Sequence, residues 1–500
     1  MQLADVPMVN NRIVNFADRG VNMKRPTFYG RRTKIICTIG PATSSATVIE
    51  RLIKAGMDVA RLNLSHGTLS EHARYIQTVR KLSQRAGIDV AILIDLPGPK
   101  YRIGKLKGGQ TTLKKASQVL LTTRQVEGDA SLLPVTLPNL SKDIKVGDTI
   151  LLDDGAMQLK VQEIDGTEVK CRAMVGGLLF QGRGLVVPGM HISIPFITDP
   201  LREGISFAIR QRADYLALSF VTGANEVTDV RAILLENNGD IPIIAKIERG
   251  EAVNHFDSIL SVSDGIMVAR GDLGVEIPLE RVPLVQKEII KKCNRVGKIV
   301  ITATEMLESM INSMRPTRAE TTDVANAIFD GTDAIMLSAE TAIGKYPVQS
   351  VRTMAKIARE AEKKLPYEQI LAERGGWLER ETDELISYDA CYTAHRLGAR
   401  AIVAFTQSGR TAGRVSKYRP RTPILAITPS SLISGRLLLW WGVYPFYIAE
   451  VSSVDELFAT GAKLCKDLGL AKPGDLIVIT GGIPIGQAGS TNLLKVEKVG

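Results

Sequence analysis

Short apolar runs alternate with amphipathic stretches along most of the chain. The runs at 34–39, 59–62, 90–94, 215–218, 242–247, 265–269, 298–302 and 334–337 read as strands buried on both faces. Between them, 47–55, 72–86 and 224–237 carry apolar residues at helical spacing. Eight such strand–helix units predict a closed parallel barrel rather than an open sheet, and a barrel of this kind builds its site at the C-terminal ends of its strands. Those ends carry Arg61, Asn63 and Ser65, then Asp95, Ser219, Lys246 with Glu248, Gly271 with Asp272, Thr304, and Ser338 with Glu340. Polar residues therefore gather at one rim, which scattered structural salt bridges would not produce.

The pattern changes between the third and fourth strands. Residues 99–187 alternate apolar and polar positions around Gly-Asp and Asp-Gly turns, as in 146–155 and 164–170. This predicts a small antiparallel β barrel inserted into a rim loop, placed to act as a lid. The barrel proper then comprises 31–98 and 188–365, ending in a helix at 348–364. A separate small α/β domain is expected over 374–500, with parallel strands at 401–405, 423–427, 443–448 and 475–479. Residues 1–30 read as an extension.

Composition narrows the function. The 500 residues are 45% hydrophobic, enough for two or three domains. No apolar run of about 18 residues appears, so no membrane span is expected, and the N-terminal segment lacks the apolar core of a secretory signal. Five scattered cysteines (Cys37, Cys171, Cys293, Cys391 and Cys465) without CxxC spacing argue for reduced thiols in a cytoplasmic protein and against a zinc site. The net charge of +10 is dispersed and aromatics are only 5%, so small anionic substrates suit the charge better than nucleic acid.

The chemistry concentrates in Lys246, Glu248 and Asp272, which end two buried strands. Carboxylates beside a lysine suit a divalent cation holding a phosphorylated anion; either half alone could equally be a buried salt bridge. In the C-terminal domain, Thr406, Gln407, Ser408, Gly409, Arg410 and Thr411 precede a helix and could cradle a phosphate, although an ordinary capped turn has the same composition. The glycine-rich loop 480–490 could close over the same ligand.

The strings CTIGPATSS, VARLNLSHG, IDLPGPK, AKIERGEAV, IMVARGDLGVEIP, TATEMLESM, RPTRAETTDVANAIFDGTDAIMLSAET and SGRTA closely resemble the pyruvate kinase family, in order, from about Arg32 to the C-terminus. The resemblance implies a TIM barrel with an inserted β-barrel lid and a C-terminal regulatory domain. It implies transfer of the phosphoryl group of phosphoenolpyruvate to ADP, giving pyruvate and ATP, the final step of glycolysis. Carried over by position, Arg61 would bind the substrate phosphate and Lys246 would meet the phosphoryl charge and the enolate oxygen. Glu248 and Asp272 would hold Mg²⁺, for which Mn²⁺ could substitute. Gly271, Asp272 and Thr304 would seat the substrate carboxylate, and Thr304 with Ser338 would relay the proton to the enolate. Asn63, His66, Arg102 and Arg183 match nucleotide-side positions. The family is usually a homotetramer, with contacts around 309–320 and through the C-terminal domain.

Three departures refine these expectations. Many members hold K⁺ through residues matching Asn63, Ser65, Asp95 and a threonine, but here that last position is Leu96, and Lys100 replaces a glutamate. A lysine ammonium can supply the fixed charge instead, so this chain resembles the K⁺-independent branch; the alternative is a Lys100 that merely faces solvent. Glu305 stands where glutamine is usual, with no role assigned. The loop 481–490 lacks the arginine of fructose-1,6-bisphosphate-sensing members, which points to a phosphorylated allosteric effector such as a sugar monophosphate or AMP. Two competing readings remain: a lyase or aldolase barrel acting on a similar enolate, and a non-catalytic sensor. The lid and nucleotide-side residues speak against the first, and the intact rim against the second.

Overall fold

The computed structural model describes residues 30–485 and 491–500. The expected extension at 1–30 and the tip of the glycine-rich loop therefore lie almost wholly or partly outside the described residues. Packing divides the chain into two units, Thr33–Glu362 and a second containing residues 30–32 with Lys363–Gly500.

In the first unit, eight parallel strands close into a barrel: Lys34–Thr38, Val59–Asn63, Ala91–Leu96, Tyr215–Leu218, Ile243–Ile247, Gly265–Ala269, Ile299–Ala303 and Ala334–Leu337. Each pairs with its sequence neighbours, and the last returns to the first through Lys34↔Ala334 and Cys37↔Leu337. Their side chains are buried almost throughout because one face fills the barrel and the other meets the helices. Every strand lies within two residues of its expected position.

The helices show why the chain turns where it does. The helix Leu69–Ala86 starts at Thr68, whose side chain accepts from the Glu71 N–H while Glu71 returns the bond to the Thr68 N–H, and it stops at Gly87 in the left-handed region. Thr317 and Glu320 repeat the device before the helix Arg318–Asp330.

The insert follows the third barrel strand. Its seven-stranded sheet runs in the order Tyr101–Arg102, Gly184–Val186, Thr149–Leu152, Met157–Asp165, Glu168–Val175, Gln118–Thr122 and Leu132–Pro134. The bridge Ile103↔Val135 joins the two edges, so the sheet curls back on itself around a core including Leu121, Leu133, Ile150 and Leu159. One feature departs from the expected antiparallel pattern: Gln118–Thr122 and Leu132–Pro134 run parallel. The chain between them first reaches back to pair Gly128 with Lys105 and Lys107, and so re-enters the sheet in the same direction.

The second unit holds a five-stranded sheet in the order Val443–Tyr447, Ile424–Thr428, Ile402–Phe405, Leu476–Gly481 and Leu493–Lys498. The first four are parallel and match the four expected strands. The fifth, antiparallel to Leu476–Gly481, was not anticipated. Leu371, on the helix Tyr367–Gly375, joins the core on one face of this sheet.

Candidate active site

The C-terminal ends of the barrel strands line a cleft of about 870 Å³, to which the insert contributes Lys100, Arg102, Asp154 and Arg183. Arg61, Asn63, Ser65, His66, Lys246, Glu248, Asp272, Thr304 and Ser338 all face it. The sequence-expected residues of the barrel and insert thus converge on one space. Asp95 and Gly271 sit immediately behind it, bonded to residues that line it.

Asp95, wholly buried at the end of the third strand, organises the cations. It accepts from Arg61 Nε at 2.7 Å, from Ser219 Oγ at 3.1 Å and from Lys246 Nζ at 3.3 Å. Burial alone would raise its pKa, yet the charges of Lys246 and Arg61 outweigh that and hold it below the usual aspartate range. Arg61 also donates to Thr38 Oγ1 at 2.8 Å, which fixes the guanidinium plane. Lys246 donates to Ser219 Oγ at 2.8 Å and pairs with Glu248 at 2.9 Å. Burial works against its charge, but Asp95 and Glu248 prevail and raise its pKa, so the ammonium stays charged.

Glu248 behaves in the opposite way. Burial raises its pKa, and the neighbouring carboxylates of Asp272 and Asp95 add to this against the pull of Lys246. Its other oxygen accepts from the Phe220 N–H at 2.6 Å. Negative charge is therefore crowded where Glu248 and Asp272 meet. That arrangement fits Mg²⁺, which takes one or two carboxylates and completes its shell with water and substrate oxygens. Among the described residues no group of three or more His, Cys, Asp or Glu side chains is arranged as a metal site.

Lys100 does not face solvent. Its ammonium lies 2.5 Å from Asp272 Oδ1 and 5.2 Å from the centre of the Phe220 ring, with the side chain only 12% exposed. Leu96 is fully buried in the wall behind, where an added Cβ at Gly204 would stand 2.6 Å from its Cδ2. It presents no oxygen to the rim. The Asn63 amide oxygen accepts from the Ser65 N–H at 3.1 Å.

The seventh strand ends in strain. Thr304 and Glu305 have φ of +63° and +54°, a region that β-branched residues rarely enter. The turn aims Thr304 Oγ1 at the Gly271 N–H, 2.8 Å away, and lets it donate to the Ala303 carbonyl at 2.6 Å. Arg270, which the sequence analysis passed over, holds this turn: it donates to the carbonyls of Thr304 at 2.8 Å and Glu305 at 3.3 Å and pairs with Asp323 at 2.7 Å. The only local signal was an arginine directly after an apolar strand, and its role depends on a turn far along the chain. Ser338 presents a buried hydroxyl with no hydrogen-bond partner among the described residues, while its N–H is held by Glu340 at 2.7 Å. On the insert side, Arg102 donates to the Gly182 carbonyl at 3.1 Å and Arg183 pairs with Asp153 at 3.2 Å.

Comparison with known proteins decides the family. The pyruvate kinase barrel-domain model matches residues 30–351, and the pyruvate kinase alpha/beta-domain model matches 384–497. The chain belongs to the pyruvate kinase family. It is accordingly a glycolytic phosphotransferase. Pyruvate kinase of Staphylococcus haemolyticus is 47% identical over 473 residues, which cover 94% of this chain and 81% of that protein. Pyruvate kinase of Clostridium acetobutylicum is 45% identical over 471 residues, covering 94% of this chain and all of its own length. The crystal structure of a pyruvate kinase from Cryptosporidium parvum superimposes with a TM-score of 0.88 at 37% identity, covering 94% of this chain and 97% of that one.

The second unit has a cavity of its own, lined by Thr406, Gln407, Ser408, Arg410, Thr411, Glu450 and Gly482 among others. Gly409, at φ +87°, starts the helix Arg410–Lys417, and its N–H donates to Thr406 Oγ1 at 2.9 Å. Thr411 Oγ1 meets Thr491 Oγ1 at 2.8 Å, and Gln407 donates to Glu450 at 3.4 Å. The expected cradle residues other than Gly409 therefore border one cavity in the pyruvate kinase alpha/beta domain.

Proposed function

We propose that this cleft transfers the phosphoryl group of phosphoenolpyruvate to ADP through the residues assembled above. The observation that carries the reading is the Arg61–Asp95–Lys246–Glu248 network, which holds an arginine and a lysine at the rim of the cleft that Glu248 and Asp272 also line. Arg61 binds the substrate phosphate with its planar fork. Lys246 meets the charge that develops on the transferring group and on the enolate oxygen. Bound at Glu248 and Asp272, Mg²⁺ supplies Lewis-acid neutralisation of the phosphoryl and enolate oxygens; Mn²⁺ would serve the same seat. The Gly271 and Asp272 backbone and the Thr304 hydroxyl seat the carboxylate. The free Ser338 hydroxyl and Thr304 pass the proton to the enolate through water, since neither hydroxyl is acidic enough to supply it alone.

ADP lies between barrel and insert, against Asn63, His66, Arg102 and Arg183, with the insert acting as a lid. Lys100 supplies the monovalent charge, so K⁺ is not required. The cavity bordered by residues 406–411 takes a phosphorylated effector, a sugar monophosphate or AMP, and the enzyme works in the cytoplasm as a homotetramer. The test is pyruvate formation from phosphoenolpyruvate with and without ADP and Mg²⁺. Activity requiring both is expected, with nearly all turnover lost in Asp272→Asn. Full turnover by that variant, or pyruvate release without ADP, would refute the assignment.

A further inference from the structure

The segment between the second barrel strand and the helix Leu69–Ala86 carries His66 into the cleft. Three contacts hold its backbone from the barrel side: the Leu64 N–H donates to Asp95 O at 2.9 Å, the Ser65 N–H to Asn63 Oδ1 at 3.1 Å and the His66 N–H to Asn63 O at 3.3 Å. On the helix side stands His72, which borders the same cleft but is only 5% exposed, with Nε2 at 2.7 Å from the His66 carbonyl oxygen. A carbonyl can only accept, so Nε2 must carry the proton. The other ring nitrogen, Nδ1, is buried with no hydrogen-bond partner among the described residues. A proton there would leave a buried cation with an unmet donor.

We infer that His72 is a positioning residue for nucleotide binding, acting in its Nε2-protonated tautomer through the His66 carbonyl. This rests on the reading of His66 as a nucleotide-side residue. The surroundings support a ring that keeps one proton. Burial depresses the His72 pKa, outweighing the His66 bond and the nearby Glu71 carboxylate. The Tyr75 ring meets it edge-on at 6.2 Å between centroids, and the Thr68–Glu71 capping box fixes the helix turn from which it projects. The His72 bond is thus the tie that sets where the His66 peptide stops, and with it the direction of the His66 ring toward the cleft.

The test is steady-state kinetics of His72→Phe, His72→Gln and His66→Ala, with wild-type enzyme labelled with [15N]histidine. Phenylalanine fills the volume without a donor; glutamine can return an N–H near the Nε2 position. His72→Phe should raise KM for ADP about tenfold, the worth of one lost buried hydrogen bond, with kcat and KM for phosphoenolpyruvate within about twofold on the same reasoning. His72→Gln should restore most of the loss. An unchanged KM for ADP in His72→Phe, alongside a raised one in His66→Ala, would overturn the positioning role. An unchanged KM in His66→Ala would instead remove the nucleotide reading of His66, and the inference with it. Should His72→Phe not fold, the labelled wild type still decides: with five histidines in the chain, the His72 signals are resolvable, and a proton on Nδ1 would overturn the inference.

Discussion

The barrel rim and the C-terminal cavity, proposed above as seats for two different phosphorylated anions, are built from different materials. The rim uses buried ions that cancel one another: Arg61 and Lys246 against Asp95, Lys246 against Glu248, and Lys100 against Asp272. The cavity uses hydroxyls, a backbone turn at Gly409 and a helix N-terminus, with Arg410 at the helix start. Buried ions are worth most where charge develops during a reaction, because they are already oriented in a medium that screens poorly. A cavity of hydroxyls and a backbone turn with a single arginine suits a ligand that must bind and leave without being changed. The difference supports the proposed division, in which the rim does the chemistry and the cavity takes an effector.

The contrast breaks first at Lys246. Lys246→Met should lower kcat by at least about 10³-fold, the scale of losing a buried electrostatic stabiliser, while effector activation of the residual rate persists. Next comes Asp95, whose removal leaves two buried cations short of a counter-charge. Asp95→Asn should cost about 3 kcal/mol or more of stability in denaturant titrations at pH 7. Because its folded pKa is depressed, the stabilisation from Asp95 is present above the usual aspartate value of about 4 and is lost as pH falls through the lower folded value. The difference between wild type and variant should therefore shrink in acid, and a constant difference down to about pH 2 would contradict the assignment.

Lys100 gives an intermediate effect. The wild-type rate should be the same in K⁺ and in a bulky organic cation at equal ionic strength. Lys100→Glu should fall about 10- to 100-fold and regain part of that rate in K⁺, since the fixed charge has been removed from the rim. A large K⁺ activation of the wild type would sink the idea. The smallest effect belongs to the cavity. Arg410→Ala should leave kcat unchanged and shift half-activation by a sugar monophosphate or AMP about three- to tenfold, the worth of one charge-assisted contact at a helix N-terminus. Strong activation by fructose-1,6-bisphosphate alone would contradict a monophosphate effector.

Most of the barrel was legible because its strands are short runs rich in Val, Ile, Leu and Ala with ions at or near their C-terminal ends, as at Ile243–Ile247 with Lys246. The rim residues followed from those strand ends. What escaped depends on contacts between distant segments or on backbone shape. The edge strand Leu493–Lys498 is half charged and none of its residues is buried, so neither an apolar run nor a clean alternation marks it. The parallel pair in the insert depends on Gly128 reaching Lys105, which no local pattern announces. The role of Arg270 lies in bonds to a turn more than thirty residues away. That Lys100 meets Asp272, rather than water, could only be seen once the insert was placed on the rim.

The left-handed pair Thr304–Glu305 has a consequence for how far this enzyme can be hardened against heat. Each residue is held in a conformation costing about 1–3 kcal/mol, at the spot where the Thr304 hydroxyl must point at Gly271. Thr304→Gly would relax the turn, and it would delete the hydroxyl with its bonds to the Gly271 N–H and the Ala303 carbonyl. Relief of backbone strain and the proposed role of the hydroxyl are therefore set against each other at residue 304.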